Sequence, residues 1–340
     1  MTVRIGINGF GRIGRNYLRA ARLLGADIEV VAINDLTSAA TLAHLLKYDS
    51  THGRFDGVVE VEGNSLVLDS GPIAVLAERD PKALPWADLG VDVVIESTGL
   101  FTTRDSASAH LDAGATRVII SAPGTDVDAT FVVGVNDDAY DPAKDFVVSN
   151  ASCTTNCFVP LVKVLDDTFG VESGLMTTVH AFTNDQNLLD LPHKDLRRGR
   201  AAAINIVPSS TGAARATSLV LESMKGRLDG TALRVPVADG SITDFTAVVP
   251  GVVTVEQVNE AFAAAAASGP LSKVLVYTED PIVSTDIVGS PASCTFDAGL
   301  TMVMPSASGI TLVKVNGWYD NEWGYANRLV DLSLVVGAGA

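Results

Sequence analysis

The feature that most narrows the possible folds is a glycine-spaced turn near the start of the chain. Val3-Arg-Ile-Gly-Ile7 is a short apolar strand, it runs into Asn8-Gly9-Phe-Gly11-Arg12-Ile13-Gly14, and a helical pattern follows from Arg15 to Leu24. A lone G-x-G-x-x-G says little. Here the glycines sit between a strand and a helix, and a second strand, Ile28 to Ile33, ends in Asn34-Asp35, the acidic residue about 20 positions on that a dinucleotide-binding unit requires. Glycine lets the backbone approach a pyrophosphate, the helix N-terminus offers N–H groups and a positive dipole end, and Asp35 can accept from both ribose hydroxyls. Leu36-Thr37-Ser38 brings no Arg or Lys for a 2′-phosphate, which Asp35 would repel, so NAD is expected over NADP.

Further α/β units follow. Thr41 to Tyr48 reads as a helix, and Val58 to Val61, Ser65 to Leu68 and Ile73 to Val75 alternate like short antiparallel strands at a sheet edge. Asp92 to Glu96 and Arg117 to Ile120 are buried parallel strands flanking a helix at Ser106 to Ala113, and Phe146 to Ser149 is the last strand of this half. Ligands of a doubly wound sheet bind at the strand ends, so Thr98, Phe101 and Ser121 are candidates for the nicotinamide side.

After Ser149 comes Asn-Ala-Ser-Cys-Thr-Thr-Asn-Cys157 and an apolar run to Leu165. Ser152 is a natural N-cap, which predicts a helix from Cys153 to about Asp166. Cys153 then stands at the positive end of a helix dipole, where thiolate is favoured over thiol. Thr154, Thr155 and Asn156 put polar groups where core residues would otherwise stand, as at a helix end facing a cavity. Cys157 lies one turn on, but no Cys/His pair nearby completes a tetrahedral site, so no metal is expected.

Beyond this helix the texture changes. Glu172 to Thr183, Thr231 to Pro236, Ser241 to Val249, Lys273 to Tyr277, Thr295 to Asp297, Leu300 to Met304 and Ile310 to Tyr319 are strand-like, with helices only at Ala213 to Glu222 and Thr254 to Ser268. This is the pattern of an α+β domain with a mainly antiparallel sheet. The expected organisation is an α/β Rossmann domain over 1–151 and a catalytic α+β domain over 152–321, with a final helix at 322–336 packing back on the first. His180 near a strand end could activate a cysteine as base and as imidazolium partner of the thiolate. Arg234, a charge within a strand, needs an anion. Ser209-Ser210-Thr211-Gly212 ahead of the Ala213 helix would offer a second phosphate-binding helix end.

Composition sets the outer limits. The 24 basic and 40 acidic residues leave a net charge of −16, which disfavours nucleic acid and anionic membrane surfaces. No apolar run reaches the ~18 residues of a membrane span. Thr2 to Asn8 already reads as strand rather than as a charged and apolar leader. The three cysteines are too few for a disulfide framework. A cytoplasmic protein with reduced thiols is expected.

Taken together, Asn8-Gly-Phe-Gly-Arg-Ile-Gly-Arg15, Ala151-Ser-Cys-Thr-Thr-Asn-Cys157, His180-Ala-Phe-Thr-Asn-Asp-Gln186, Ser210-Thr-Gly-Ala213, Arg234-Val-Pro236 and Trp318-Tyr-Asp-Asn-Glu322 resemble phosphorylating glyceraldehyde-3-phosphate dehydrogenases of bacterial type, from Val3 to Leu332. The resemblance implies oxidation of glyceraldehyde 3-phosphate with NAD and inorganic phosphate through a cysteine thiohemiacetal and thioester. It implies Cys153 as nucleophile and His180 as base. It implies NAD contacts from Arg12, Ile13, Asp35, Arg79, Ser121 and Asn321. Ser152, Thr154, Thr211 and Gly212 would hold one phosphate, and Thr183, Asp185, Arg198 and Arg234 the other. Leu36 and Pro192 match the NAD-preferring pattern. A homotetramer is implied, with the long loop Asn187 to Ile206 against a neighbouring subunit. Erythrose-4-phosphate dehydrogenase shares the cysteine motif, but Thr183 and Ser210-Thr-Gly212 follow the triose type.

One stretch departs from that pattern. After Arg234-Val-Pro236 the usual Thr-Pro-Asn-Val-Ser is replaced by Val237-Ala-Asp-Gly-Ser241. A charged Asp239 beside the site would disfavour the Cys153 thiolate and compete for Arg234, the mark of a specialised, inhibitor-tolerant isoform.

Overall fold

The computed structural model describes residues 2–339, so Met1 of the expected 1–151 domain lies outside the description. The chain forms two compact units, Met1–Ser152 with Tyr325–Ala340, and Cys153–Gly324.

In the first unit, β1 (Val3–Asn8), α1 (Arg12–Leu23), β2 (Ile28–Asn34) and α2 (Ala39–Lys47) are followed by a small hairpin, β3 (Tyr48–Asp49) and β4 (Gly53–Arg54). Then come β5 (Val59–Glu62), β6 (Ser65–Leu68), β7 (Gly71–Leu76), a short α3 (Trp86–Leu89), β8 (Val93–Glu96), α4 (Arg104–Ala107), α5 (Ala109–Asp112), β9 (Arg117–Ile120), β10 (Ala129–Thr130) and β11 (Val147–Ser149). All the strands but the hairpin share one nine-stranded sheet, ordered β10-β11-β9-β8-β1-β2-β7-β6-β5. Pairing is parallel from β10 to β7 and antiparallel only at β7-β6-β5. Both faces of a parallel sheet must be covered, and the apolar residues of β1 and β8 accordingly sit at 0–5 % exposure. Because β1 has β2 on one side and β8 on the other, the chain reverses its winding direction at the end of β1, and that is where the glycine turn lies.

The helix expected over Ser106 to Ala113 is instead two four-residue pieces, α4 and α5. Ser108 at the joint donates its hydroxyl to the Arg104 carbonyl at 2.7 Å, a back-bond that bends a helix.

The second unit opens with α6 (Cys153–Phe169), one turn longer than expected and carrying Pro160 inside. Its strands are β12 (Ser173–Ala181), β13 (Val207–Ser210), β14 (Leu228–Val235), β15 (Ser241–Pro250), β16 (Leu275–Thr278), β17 (Cys294–Asp297), β18 (Met302–Pro305) and β19 (Ile310–Tyr319). The sheet runs β13-β14-β12-β15-β19-β17-β16, with β18 also on β19. It is mainly antiparallel, with parallel joints at β12-β14 and β16-β17. The helices are α6, α7 (Ala213–Ala216), α8 (Val255–Ala267), α9 (Ser284–Ile287) and the start of α10 (Trp323–Gly337), which crosses into the first unit. Phe158 of α6 meets Phe245 of β15 edge-on at 4.8 Å, and Phe262 of α8 stacks on Phe296 of β17 at 3.9 Å. These aromatic pairs seat the helices on the sheet.

The helix expected from Ala213 to Glu222 is a single turn, α7, followed by two 3-10 turns at Thr217–Leu219 and Glu222–Met224. Thr217 and Ser218 bond back to the carbonyls of Ala213 and Arg215, which competes with helix propagation. Ser209 and Ser210 end a strand rather than opening a helix. One turn carries little dipole, so an anion there would be held by the Thr211 hydroxyl and backbone N–H groups more than by a helix end.

Candidate active site

At the nucleotide end of the first unit, Gly9 takes a φ of +93°, and a Cβ there would lie 2.7 Å from the Thr98 backbone nitrogen. A Cβ on Gly14 would lie 2.3 Å from the Gly9 carbonyl oxygen. Both positions are closed to any other residue. Nothing stands within 4 Å of a Cβ on Gly11, the residue that precedes α1 and supplies no side-chain cap, so the helix end opens onto free space. Asp35 is held beside it: one carboxylate oxygen accepts from the Phe10 N–H at 3.0 Å and the other from Thr37 N–H at 2.9 Å. A bare backbone cradle and a fixed carboxylate fit a dinucleotide.

The other nucleotide candidates are more varied. Ile13 is half-buried in the first turn of α1, and Arg79 is exposed beyond β7. Arg12 is paired with Asp49, which also accepts from the N–H groups of Thr51 and His52. Burial pushes the Asp49 carboxyl up, yet the His52 N–H, the Arg12 guanidinium and the Thr51 N–H together bring it down to about 2. Thr98 and Ser121 stand half-buried just past β8 and β9. Thr98 is tied to Glu96, a buried residue that sequence reasoning passed over as the end of a strand. Its carboxyl also accepts from Asn8 Nδ2 at 2.6 Å and faces His110 Nε2 at 3.0 Å. A charged residue closing an otherwise apolar strand was the available signal. Ala151 was missed too: it holds a φ of 55° two residues before Cys153, fixed by Ser149 Oγ on its N–H and Tyr325 Oη on its carbonyl.

The second unit carries the thiol. Cys153 is the first residue of α6, and its Sγ lies 3.4 Å from His180 Nε2. His180 is the penultimate residue of β12. The parallel register of β12 on β14 sets it directly opposite Arg234, whose Nη1 lies 2.6 Å from His180 Nδ1 and 3.1 Å from the Ala181 carbonyl. That carbonyl is also 2.7 Å from His180 Nδ1. Tyr319, the last residue of β19, closes the group from behind. Its hydroxyl bonds Thr154 at 2.9 Å and Thr178 at 2.8 Å, and its ring meets the His180 imidazole nearly perpendicularly at 5.8 Å. Tyr319 and Thr178 were not singled out from sequence because nothing local distinguishes them from core residues.

Burial governs the charges here. It pushes the Cys153 thiol up to about 11, with Arg234, the Thr154 hydroxyl and backbone N–H groups acting in the opposite direction. Burial, and then Arg234, push His180 down to about 3. Desolvation therefore works against charge on both groups, opposing the α6 dipole and the Arg234 guanidinium, which favour a thiolate.

Among the phosphate candidates, Arg198 forms an ion pair with Asp185 and donates to the Ser210 carbonyl at 3.3 Å. Arg234 senses the charges of both, and its own pKa is lowered by burial. Thr183 is half-buried, its carbonyl taking the Gln186 N–H. Thr211 caps the Ala213 N–H at 3.2 Å, with exposed Gly212 between them, and Ser152 precedes α6 directly. Thr154 spends its hydroxyl on Tyr319.

Asp239 does not play the part expected of it. It is 3 % exposed, and its carboxyl is pushed up to about 9, first by burial and then by the neighbouring Asp320 and Glu322. These neighbours and burial favour its neutral form, and its carboxyl is hydrogen-bonded with that of Asp320. Gly240 beside it is required by the backbone. At a φ of +85°, a Cβ would lie 2.3 Å from the Ser284 carbonyl oxygen.

These features define a class: a doubly wound dinucleotide-binding unit and an α+β unit with a cysteine–histidine–arginine group, in one chain. Residues 3–104 match the model of the glyceraldehyde 3-phosphate dehydrogenase NAD binding domain, and residues 152–321 that of the C-terminal domain of the same enzyme. The chain is 60 % identical to the glyceraldehyde-3-phosphate dehydrogenase of Streptomyces coelicolor over 337 residues, covering 99 % of both. It is 60 % identical to that of Mycobacterium avium, again over 99 % of both, and 57 % identical to that of Geobacillus stearothermophilus over 99 % of this chain and 98 % of the other. The chain belongs to the glyceraldehyde-3-phosphate dehydrogenase family.

Proposed function

We propose that this protein catalyses the NAD-dependent, phosphorylating oxidation of D-glyceraldehyde 3-phosphate to 1,3-bisphosphoglycerate, with the first unit holding the cofactor and the second doing the chemistry. The observation that carries this reading is Cys153 Sγ at 3.4 Å from His180 Nε2, beside the Arg234 guanidinium.

In the tautomer with the proton on Nδ1, both that N–H and the Arg234 guanidinium are directed to the Ala181 carbonyl, and the Nε2 lone pair faces the thiol. As Sγ adds to the aldehyde carbon, its proton passes to Nε2 and from there to the new alkoxide, giving the thiohemiacetal. Arg234 stabilises negative charge on sulfur and oxygen as it develops. Nε2 then takes the hydroxyl proton while the carbon is oxidised. NAD, when bound, is the hydride acceptor for that oxidation. Phosphate, held at the position lined by Ser152, Thr154, Thr211 and Gly212, attacks the thioester carbonyl; the C–S bond breaks, and the sulfur recovers its proton from Nε2. Burial favours the uncharged imidazole, the form that can act as base.

Gly9, Gly11, Arg12, Ile13, Gly14, Asp35, Arg79, Thr98, Ser121 and Asn321 are assigned to NAD, and Ser152, Thr154, Thr183, Asp185, Arg198, Thr211, Gly212 and Arg234 to the two phosphate positions. We also assign a cytoplasmic homotetramer. Support comes from the segment 187–206, which exposes Leu188, Leu189, Leu191, Leu196, Ile204 and Ile206 at 59–86 % each, and from three unpaired cysteine thiols. No helix among the described residues is long and apolar enough to cross a membrane. NADH formation from glyceraldehyde 3-phosphate should require phosphate, prefer NAD to NADP and exceed the rate with erythrose 4-phosphate. A phosphate-independent or NADP-preferring rate would refute the assignment. Light scattering should give a tetramer mass.

A further inference from the structure

The last residues of β2, β1 and β8 are Asn34, Asn8 and Glu96, all buried, and the parallel register sets them in one row across the sheet. Their side chains form a line of hydrogen bonds whose donors and acceptors are fixed from its two ends. At one end the Glu78 backbone donates its N–H to Asn34 Oδ1 at 2.8 Å and accepts from Asn34 Nδ2 at 2.9 Å, which orients that amide. Asn34 Nδ2 also donates to Asn8 at 2.7 Å, so the Asn8 atom there is Oδ1, and its Nδ2 donates to Glu96 Oε2 at 2.6 Å. At the other end Trp86 Nε1 can only donate, and it faces His110 Nδ1 at 3.0 Å. That nitrogen is therefore bare, the imidazole proton is on Nε2, and it too is directed at Glu96 Oε2, at 3.0 Å. Oε1 accepts from the Thr98 N–H at 2.9 Å and bonds the Thr98 hydroxyl, which itself takes the Leu100 N–H. A buried carboxyl is costly unless its lone pairs are filled, and here the surrounding donors fill them.

This carboxyl adjoins the glycine turn. The Gly9 N–H donates to the Asn34 carbonyl at 2.9 Å, the Ser97 N–H to the Asn8 carbonyl at 2.8 Å, and the Ser97 hydroxyl to the Gly9 carbonyl at 2.6 Å. The Thr98 nitrogen, the atom that bars a Cβ from Gly9 at 2.7 Å, is the one whose hydrogen Glu96 Oε1 holds. Glu96 therefore grips both walls of the turn, Asn8 on the β1 side and Thr98 on the β8 side. The mechanism leaves it without a part.

We propose that Glu96 is a positioning residue for the dinucleotide: bonded to Asn8, His110 and Thr98, it holds the Gly9 turn in its binding shape before NAD arrives, so that its backbone meets the diphosphate without rearrangement. This rests on the assignment of that turn to NAD. Trp86 and His110 act behind it, by keeping a proton on Nε2 and so leaving Oε2 an acceptor.

The test is calorimetric affinity for NAD and for ADP-ribose, which keeps the diphosphate and lacks the nicotinamide. Glu96→Gln replaces one acceptor by an amide nitrogen that faces N–H groups either way round. It should weaken both ligands by about tenfold, with the loss in turnover falling on KM for NAD rather than on kcat. Asn8→Asp alone sets two carboxyls 2.6 Å apart and should weaken them at least as much. Combined, the two substitutions exchange acid and amide: the new carboxylate can accept from the new amide and from His110 Nε2, which lies 3.4 Å from Asn8 Nδ2. Affinity should then return to within about threefold of the parent. Gly11→Ala is the control for the turn, since its Cβ would enter the free space there. If Gly11→Ala binds both ligands normally, the reading of the turn fails and the inference with it. If Gly11→Ala weakens them while Glu96→Gln does not, if Glu96→Gln spares ADP-ribose, or if the exchange variant binds no better than the weaker single variant, the inference alone fails. Should the single variants not fold, hydrogen exchange in the unaltered protein decides. The amides of residues 97 and 98 should be protected without NAD and slowed by less than about tenfold on adding it; a greater slowing would mean that the cofactor, not Glu96, orders the turn.

Discussion

The nucleotide end of the first unit and the thiol end of the second are assembled by opposite means. The first is nearly contiguous: residues 8–14 make the turn, and the bond from the Phe10 N–H to Asp35 spans only 25 residues. The second joins His180 to Arg234 across 54 residues and Thr154 to Tyr319 across 165. A turn closed by backbone clashes is specified where it stands. A site made by strand pairing depends on register, and a one-residue slip of β12 on β14 would turn His180 and Arg234 to opposite faces. The two also differ in charge control: surrounding donors favour the ionised Asp49, whereas burial works against charge on Cys153 and His180.

The sharpest break between the two regions is Cys153→Ser. Turnover followed by NADH absorbance should fall by about ten-thousandfold or more, while NAD affinity stays within about twofold. Appreciable turnover in this variant would remove Cys153 as nucleophile.

Next in size is His180→Gln, which should lower kcat by about a hundred- to ten-thousandfold. A stability signature accompanies it. The native imidazole stays neutral far below its ordinary pKa of 6.5, so below that pH the unfolded chain binds a proton that the native chain refuses. The stabilisation is complete above about pH 6.5 and is lost as pH falls toward about 3. In thermal melts the parent should therefore lose Tm relative to His180→Gln between about pH 7.5 and 5. Parallel curves would contradict a buried, neutral His180.

Asp35→Gly tests the contiguous end. Removing the carboxylate takes away both the ribose hydrogen bonds and the repulsion of a 2′-phosphate. The ratio of NADP to NAD efficiency should rise by about tenfold or more. An unchanged ratio would mean that Asp35 does not face the ribose.

The smallest expected effect is that of Asp239→Asn. An uncharged carboxyl replaced by its amide isostere should leave the pH profile of Cys153 alkylation by iodoacetamide within about twofold of the parent. A larger change would restore the discarded idea that Asp239 acts on the thiol.

The first half of the chain could be read closely because its signals are local. Strand period, glycine spacing and the acidic end of β2 each follow from the conformations of adjacent residues, and β9 and β19 lie just where the pattern sets them. Reading failed where two local tendencies compete, as at Ser108, Thr217 and Ser218, whose hydroxyls bond back to their own turns.

The amino-acid sequence by itself determined the two kinds of unit, the dinucleotide turn, the preference for NAD and the identity of Cys153, His180 and Arg234 as reactive candidates, because these rest on residue chemistry and short-range sterics. Tertiary structure alone decided that β12 pairs with β14 in the register that faces His180 with Arg234, that Tyr319 ties Thr154 to Thr178, and that Ser241 meets Asn321. It alone decided the charges as well. Whether Cys153 is thiol or thiolate and whether Asp239 is charged depend on how much water is excluded, and desolvation is set by everything packed around a group rather than by its neighbours in the chain.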